Sequence, residues 1–168
     1  MKPLNPIVSK ESPREILAED YKSMNGLLPI KGGWGYTRDD ACVIDMDDPI
    51  VPKDAPFNGV AVEYSFVEKR IWEEMIIFRQ HEDEYAGIEW NLLTQRLDFD
   101  NGHTYDMLEF EITAIPRTVF EALKAEWEGP DGFLSLDFDR EAHNRKHRES
   151  TFTIVREFWF DITSFFGK

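Results

Sequence analysis

Apolar residues recur along this chain with two different spacings, and each spacing marks a different kind of element. Near the start, Ile16, Leu17 and Tyr21 fall on one face of a helix. Ser12 supplies an N-cap oxygen, Pro13 fits the first helical position, where its missing N–H costs nothing, and Glu15 completes a capping box. The sequence therefore predicts a helix from this cap to about Met24, with Gly26 past its end and residues 1–11 as an extended lead-in. Val119, Phe120, Leu123 and Trp127 repeat the helical spacing between Pro116 and the stop at Gly129-Pro130.

Period-two alternation governs other segments. Leu108, Phe110 and Ile112 alternate with Glu109 and Glu111, which predicts a strand with one dry face and one wet face. Asp100-Asn101-Gly102 precedes it, and Asn-Gly readily takes the positive φ angles of a tight turn, so Ile88–Phe99 and His103–Ile115 should form a hairpin. Phe152, Ile154, Phe158 and Phe160 share one parity of a final strand whose apolar face Arg156 interrupts. Shorter strands are expected at Ala41–Asp45 and Phe133–Phe138, and Val60–Val67 is β-branched and aromatic enough for a central strand.

Between these, Lys31 to Tyr36 reads as a glycine-rich bend, and the prolines at 49, 52 and 56 mark residues 46–58 as an exposed connection. Residues 68–79 lean towards a helix on the spacing of Val67, Ile71, Met75 and Phe78, against the alternative of a hairpin through Glu68-Lys69-Arg70. Glu141–Glu149 is too charged to be core. With no repeat, low-complexity tract or linker, the expected architecture is a single α+β domain over residues 1–168, an antiparallel β-sheet packed by two or three helices.

Composition sharpens this picture. The 168 residues are 42% hydrophobic and include thirteen Phe and five Trp, too much apolar bulk for a disordered acidic tail. Net charge is −14, so the charge belongs to a folded surface that repels nucleic acid and anionic membranes and favours a basic protein partner. The same acidity also serves plain solubility. The single Cys42 lies in an apolar run and reads as a buried structural thiol. Residues 1–17 have no apolar core of signal-peptide length, and no stretch reaches the ~20 apolar residues of a membrane helix, so a cytoplasmic location is expected.

The acids are unevenly spread. From His81 to Ile112 there are nine acids against Arg96 alone, and Asp39–Asp54 holds six against Lys53. Asp98, Asp100, Asp106, Glu109 and Glu111 are therefore the candidate partner-binding charges, with Trp34, Tyr36, Tyr85 and Tyr105 as candidate aromatic anchors in neighbouring loops and turns. A set of scattered solvated faces is the plainer alternative.

Signals for chemistry are weaker. His143 and His147 stand one helical turn apart, but Arg145, Lys146 and Arg148 oppose a divalent ion there. His81-Glu82-Asp83-Glu84 and Asp45-Met46-Asp47-Asp48 lack the glycine and glutamate spacing of a calcium loop. No nucleophile elbow, phosphate loop or dinucleotide fingerprint occurs, so no cofactor is implied and no catalytic residue is singled out. A binding role is favoured over catalysis: a stoichiometric inhibitor, of the immunity-protein or antitoxin kind, covering a basic partner such as a nuclease toxin. The alternatives are an acidic scaffold that self-associates through a sheet edge, and a metal-assisted hydrolase using carboxylates with His81 or His103.

Overall fold

A computed structural model describes residues 4–24 and 26–168. The first helix, α1 (Pro13–Asp20), starts as its sequence dictates: the Ser12 side chain accepts from the Glu15 backbone N–H, and Glu15 reaches back to the Ser12 N–H at 3.1 Å. Ile16, Leu17 and Tyr21 all turn inward and are buried. The described part of the lead-in is extended but not free. Ile7 is buried, its N–H donates to the Tyr36 hydroxyl (2.8 Å), and the Leu4 carbonyl accepts from Arg156 (2.6 Å).

Five strands build one sheet in the order β1-β2-β5-β4-β3, comprising β1 (Ile30–Gly32), β2 (Cys42–Ile44), β3 (Tyr85–Asp100), β4 (His103–Pro116) and β5 (Phe152–Asp161). Three of the pairings are antiparallel, while β2 runs parallel to β5, so the sheet is mixed where a purely antiparallel one is expected from the alternation. The β3–β4 hairpin turns at Asn101 (φ 49°) and Gly102 (φ 82°), the two consecutive left-handed residues that a two-residue turn needs to match the twist of its strands. Lys31 and Gly32, placed in a bend by their glycine neighbours, belong to β1.

Two segments differ from their sequence expectation. Val60–Val67 is not a strand but the first half of α2 (Gly59–Trp72), which a π-helical turn extends through Glu73–Ile77. The Asn58 side chain caps this helix at the Ala61 N–H (3.0 Å), and the Phe165 ring packs so close to Gly59 that a Cβ there would stand 2.3 Å from it and displace it. Residues 68–77 accordingly continue a helix, Phe78 and Arg79 lie past its end, and no hairpin forms at Glu68-Lys69-Arg70. Phe133–Phe138 is likewise not a strand. It makes a short 3-10 turn at Gly132–Leu134 and leaves Leu134 and Leu136 exposed.

The main core lies between α1 and α2 and the inner face of the sheet. Phe66 of α2 meets Phe160 edge to face (5.6 Å between ring centres), and Phe110 meets Phe158 in the same way (5.6 Å), the arrangement that aromatic quadrupoles favour. Leu108, Phe110, Ile112 and Ala114 of β4 point into this core. Helix α3 (Arg117–Glu128) packs against the start of β3 and the end of β4, with Phe120 over Gly87, and α4 (Arg140–Ser150) packs on α3 and β4. Of the four apolar positions expected to bury on α3, Leu123 is the buried one. Among the described residues no helix is long and apolar enough to cross a membrane.

Candidate partner-binding face of the sheet

The strand alternation that sends Leu108, Phe110 and Ile112 inward sends Tyr105, Met107, Glu109 and Glu111 to the outer face. Register then fixes their neighbours. Glu109 lies opposite Glu157 of β5 on one side and Thr94 of β3 on the other, Glu111 lies opposite Val155 and Asn91, and Tyr105 lies opposite Asp161 and Asp98. Two carboxylates directly opposite on neighbouring strands repel, and this pairing costs stability unless a cation sits over it. Among the described residues no lysine, arginine or histidine forms an ion pair with Glu109, Glu111 or Glu157.

Next to these acids lies a small apolar floor of Ala41, Met107 and Trp159, flanked by Tyr105. The Trp159 indole N–H donates to Glu157 (2.8 Å), which orients that carboxylate on the open face. The Arg96 guanidinium stands 5.7 Å from the Trp159 ring centre. Val155 is half exposed beside Glu111. Towards the hairpin tip the charges are already matched: Arg38 bonds Asp98 (3.2 Å), pairs with Asp100 (3.4 Å) and lies 5.9 Å over the Tyr105 ring.

Asp98, Asp100, Tyr105, Glu109 and Glu111 thus come together on one face. The other candidates do not. Asp106 has the opposite parity and is buried, accepting from the Gln95 side chain (2.6 Å), with its pKa raised by burial. Trp34 is core, 6.2 Å from Phe66, and Tyr85 is core, 4.6 Å from Phe152. Tyr36 is half-buried, with its ring on Arg70 (3.7 Å) and its hydroxyl donating to Glu74. A glycine-rich bend or a strand end next to acids looks like an exposed loop in sequence. Here each ring folds back over the core, because the short strands and the lead-in pack against it.

Three members of the outer face escaped the sequence reading. Glu157 was legible, since its parity on the last strand opposes the apolar one. Arg38 and Asp161 were not, because their roles depend on which strands become neighbours. The remaining ionisable candidates are separated. His103 bonds Asp161 (2.7 Å), whose pKa is held low against the effect of burial by hydrogen bonds from Thr163 and His103. His81 meets Glu84 at 3.5 Å, on the far side of the hairpin from its tip. His143 is buried against Trp127 and Phe138, while His147 is exposed. Among the described residues no group of three or more His, Cys, Asp or Glu side chains is placed to hold a metal ion. Cys42 is fully buried, and burial pushes its thiol pKa up.

A second cluster of charge lies inside. Arg70 is fully buried, stacked between Tyr36 and Phe158 (4.1 Å), paired with Glu74 (3.2 Å) and donating to the Trp34 and Gly35 carbonyls. Arg156, the residue that breaks the apolar parity of β5, completes it by reaching Glu74 at 3.3 Å. The cleft beside it, lined by Asn5, Ile7, Phe78, Arg79 and Gln80, therefore opens onto a carboxylate already held by two arginines and a tyrosine.

The fold and this face define a single α+β domain with a mixed five-stranded sheet, α1 and α2 over its inner side, α3 and α4 packed at the end of the β3–β4 hairpin away from its turn, and an outer side that carries the acids. No family model, no curated protein and no solved structure matches the chain.

Proposed function

We propose that this chain is a binding protein whose outer sheet face docks a basic protein, and that its role is that of a stoichiometric inhibitor of the immunity-protein or antitoxin kind. The observation that carries this reading is the cross-strand apposition of Glu109 and Glu157, with Glu111 beside them and, among the described residues, no ion pair to any of the three. A lysine or arginine from a partner would relieve that repulsion, so the charge arrangement favours the complex over the free protein. The half-exposed Val155 supplies apolar contact area that charge alone lacks.

A nuclease is a fitting target class, because its substrate is a polyanion and an acidic cover competes for the same positive groove. A cytoplasmic location, where such a target would be made, fits this role. The test is capture of basic proteins on the tagged chain and on its E109K/E111K variant, followed by titration of the purified partner against both. A one-to-one complex that weakens steeply with salt and is lost in the variant supports the proposal. Equal binding by both proteins removes the outer face from it.

A further inference from the structure

The outer strand β3 is the long free edge of the sheet: it pairs with β4 alone among the strands, runs for sixteen residues, and leaves Asn91 to Leu97 exposed without a break. Such an edge offers a row of unpaired backbone groups to another strand. Natural edges are commonly blunted by lysine, proline or inward charge. This stretch has a bulge at Leu93 but neither lysine nor proline, and its Leu92, Leu93 and Leu97 are each more than a third exposed.

We infer that β3 pairs antiparallel with β3 of a second copy of this chain, about a two-fold axis between Leu92 and Leu93. This inference does not rest on the proposed function. It rests on the bulge. Leu92 pairs with Phe110 and Thr94 with Glu109, so Leu93 is an extra residue that reverses the parity of the strand beyond it. On one side of the bulge Glu89 and Asn91 face outward, opposite Thr113 and Glu111. On the other, Thr94 and Arg96 face outward, opposite Glu109 and Met107.

An antiparallel pair about an axis normal to the sheet keeps every residue on its own face, so only residues of like face can lie opposite each other. With the axis at Leu92 and Leu93, Glu89 of each copy lies opposite Arg96 of the other, Trp90 opposite Gln95, Asn91 opposite Thr94, and Leu92 opposite Leu93. The pairs from Glu89–Arg96 to Asn91–Thr94 match in face. The only base of the strand meets an acid, twice, and the matched pairing runs out at the second bulge, between Ala86 and Glu89. Moving the axis one residue, to Leu93 and Thr94, also matches faces but sets Glu89 against Asp98, a like-charge pair. Axes displaced off the bulge match faces only over shorter stretches, as about Leu97, where Thr94 to Asp100 would pair. Of the two registers centred on the bulge, charge favours the one about Leu92 and Leu93, in which two five-stranded sheets join into one and both acidic outer faces point the same way.

The test is sedimentation of the full chain across the micromolar range, with the variants E89R, R96E and the double exchange E89R/R96E. All of the altered side chains are exposed on the outer face, and circular dichroism checks that each variant keeps the fold. The wild type should convert from the 19.7 kDa monomer to a species of twice that mass as concentration rises. Each single reversal puts two like-charge pairs into the interface and should lower the association constant by the order of tenfold, and the double exchange should restore it. Restoration cannot come from Arg96 over Trp159, because the double exchange lacks that contact as well. A monomer at every concentration, singles that associate like the wild type, or a double exchange no better than the singles would each overturn the inference.

Discussion

Glu109 of β4 and Glu157 of β5 lie directly opposite each other on the open face of the sheet, two carboxylates in a position that usually holds an opposite pair. This arrangement costs the free protein stability and is compensated when a cation arrives. Replacing Glu109 by Lys turns the repulsion into a cross-strand ion pair. E109K should raise stability by about 0.5–1 kcal/mol, a rise in Tm of about 1–4 °C, while abolishing docking of a basic partner. Thermal unfolding of E109K beside the wild type checks it, and a lower Tm would contradict the account of this face.

Glu63 on α2 is buried over Asp106, and burial first, then the Asp106 charge, pushes its pKa up to about 8. Burial, then the nearby Asp20, likewise raises Glu73 to about 9. A carboxyl whose pKa is higher folded than unfolded holds its proton more tightly in the fold, so its stabilisation is complete below the ordinary value of 4.5 and is lost as pH rises through the folded value. The protein should therefore lose stability between about pH 5 and about pH 9, on the order of 2–4 kcal/mol for Glu63 alone. Urea midpoints measured across that range should fall, and E63Q should flatten the fall. A midpoint that rises from acid to alkaline pH would contradict the burial of these groups as neutral acids.

Arg70 sits wholly inside, and its removal leaves Glu74 with one cation fewer and the Trp34 and Gly35 carbonyls without their donor. R70M keeps much of the apolar stem between Tyr36 and Phe158. It should still cost about 3–5 kcal/mol, because breaking one member of a buried charge cluster strands the other. Chemical denaturation measures this directly, and a loss below about 1 kcal/mol would mean that the cluster is hydrated rather than buried.

Gly102 completes the hairpin turn at φ 82° with open space around its Cα, so only its backbone conformation is at stake. G102A should cost about 1 kcal/mol and leave the outer face otherwise unchanged, in contrast to the charge variants.

How much of this could be read from sequence depends on whether local chemistry or tertiary packing decides each element. Ser12-Pro13-Glu15 and Asn101-Gly102 carry their geometry in their own side chains or backbone freedom, and both elements form as the residues dictate. Val60–Val67 misleads because α2 turns Glu63, Lys69, Arg70, Glu73 and Glu74 inward, so its buried face is half charged and its helical period is hidden from a hydrophobic count. Phe133–Phe138 misleads for the opposite reason, since its apolar residues remain at the surface. On the outer face, the parity of Glu109 and Glu111 was legible, whereas the inward turn of Asp106 next to them shows only once its parity is taken together with Gln95 and Glu63. The parallel pairing of β2 with β5, which brings Arg38 to Asp98, has no local signature at all.

The central claim is that the outer face binds a cation-rich protein surface. Its most direct test is salt-stepped elution of source-cell proteins from the immobilised wild type and from E109K/E111K, with the partner then purified and its stoichiometry measured by calorimetry. The account predicts a basic protein that binds the wild type one to one, leaves at high salt and is missing from the variant. The same proteins on both, or no stoichiometric partner on the wild type, would contradict it.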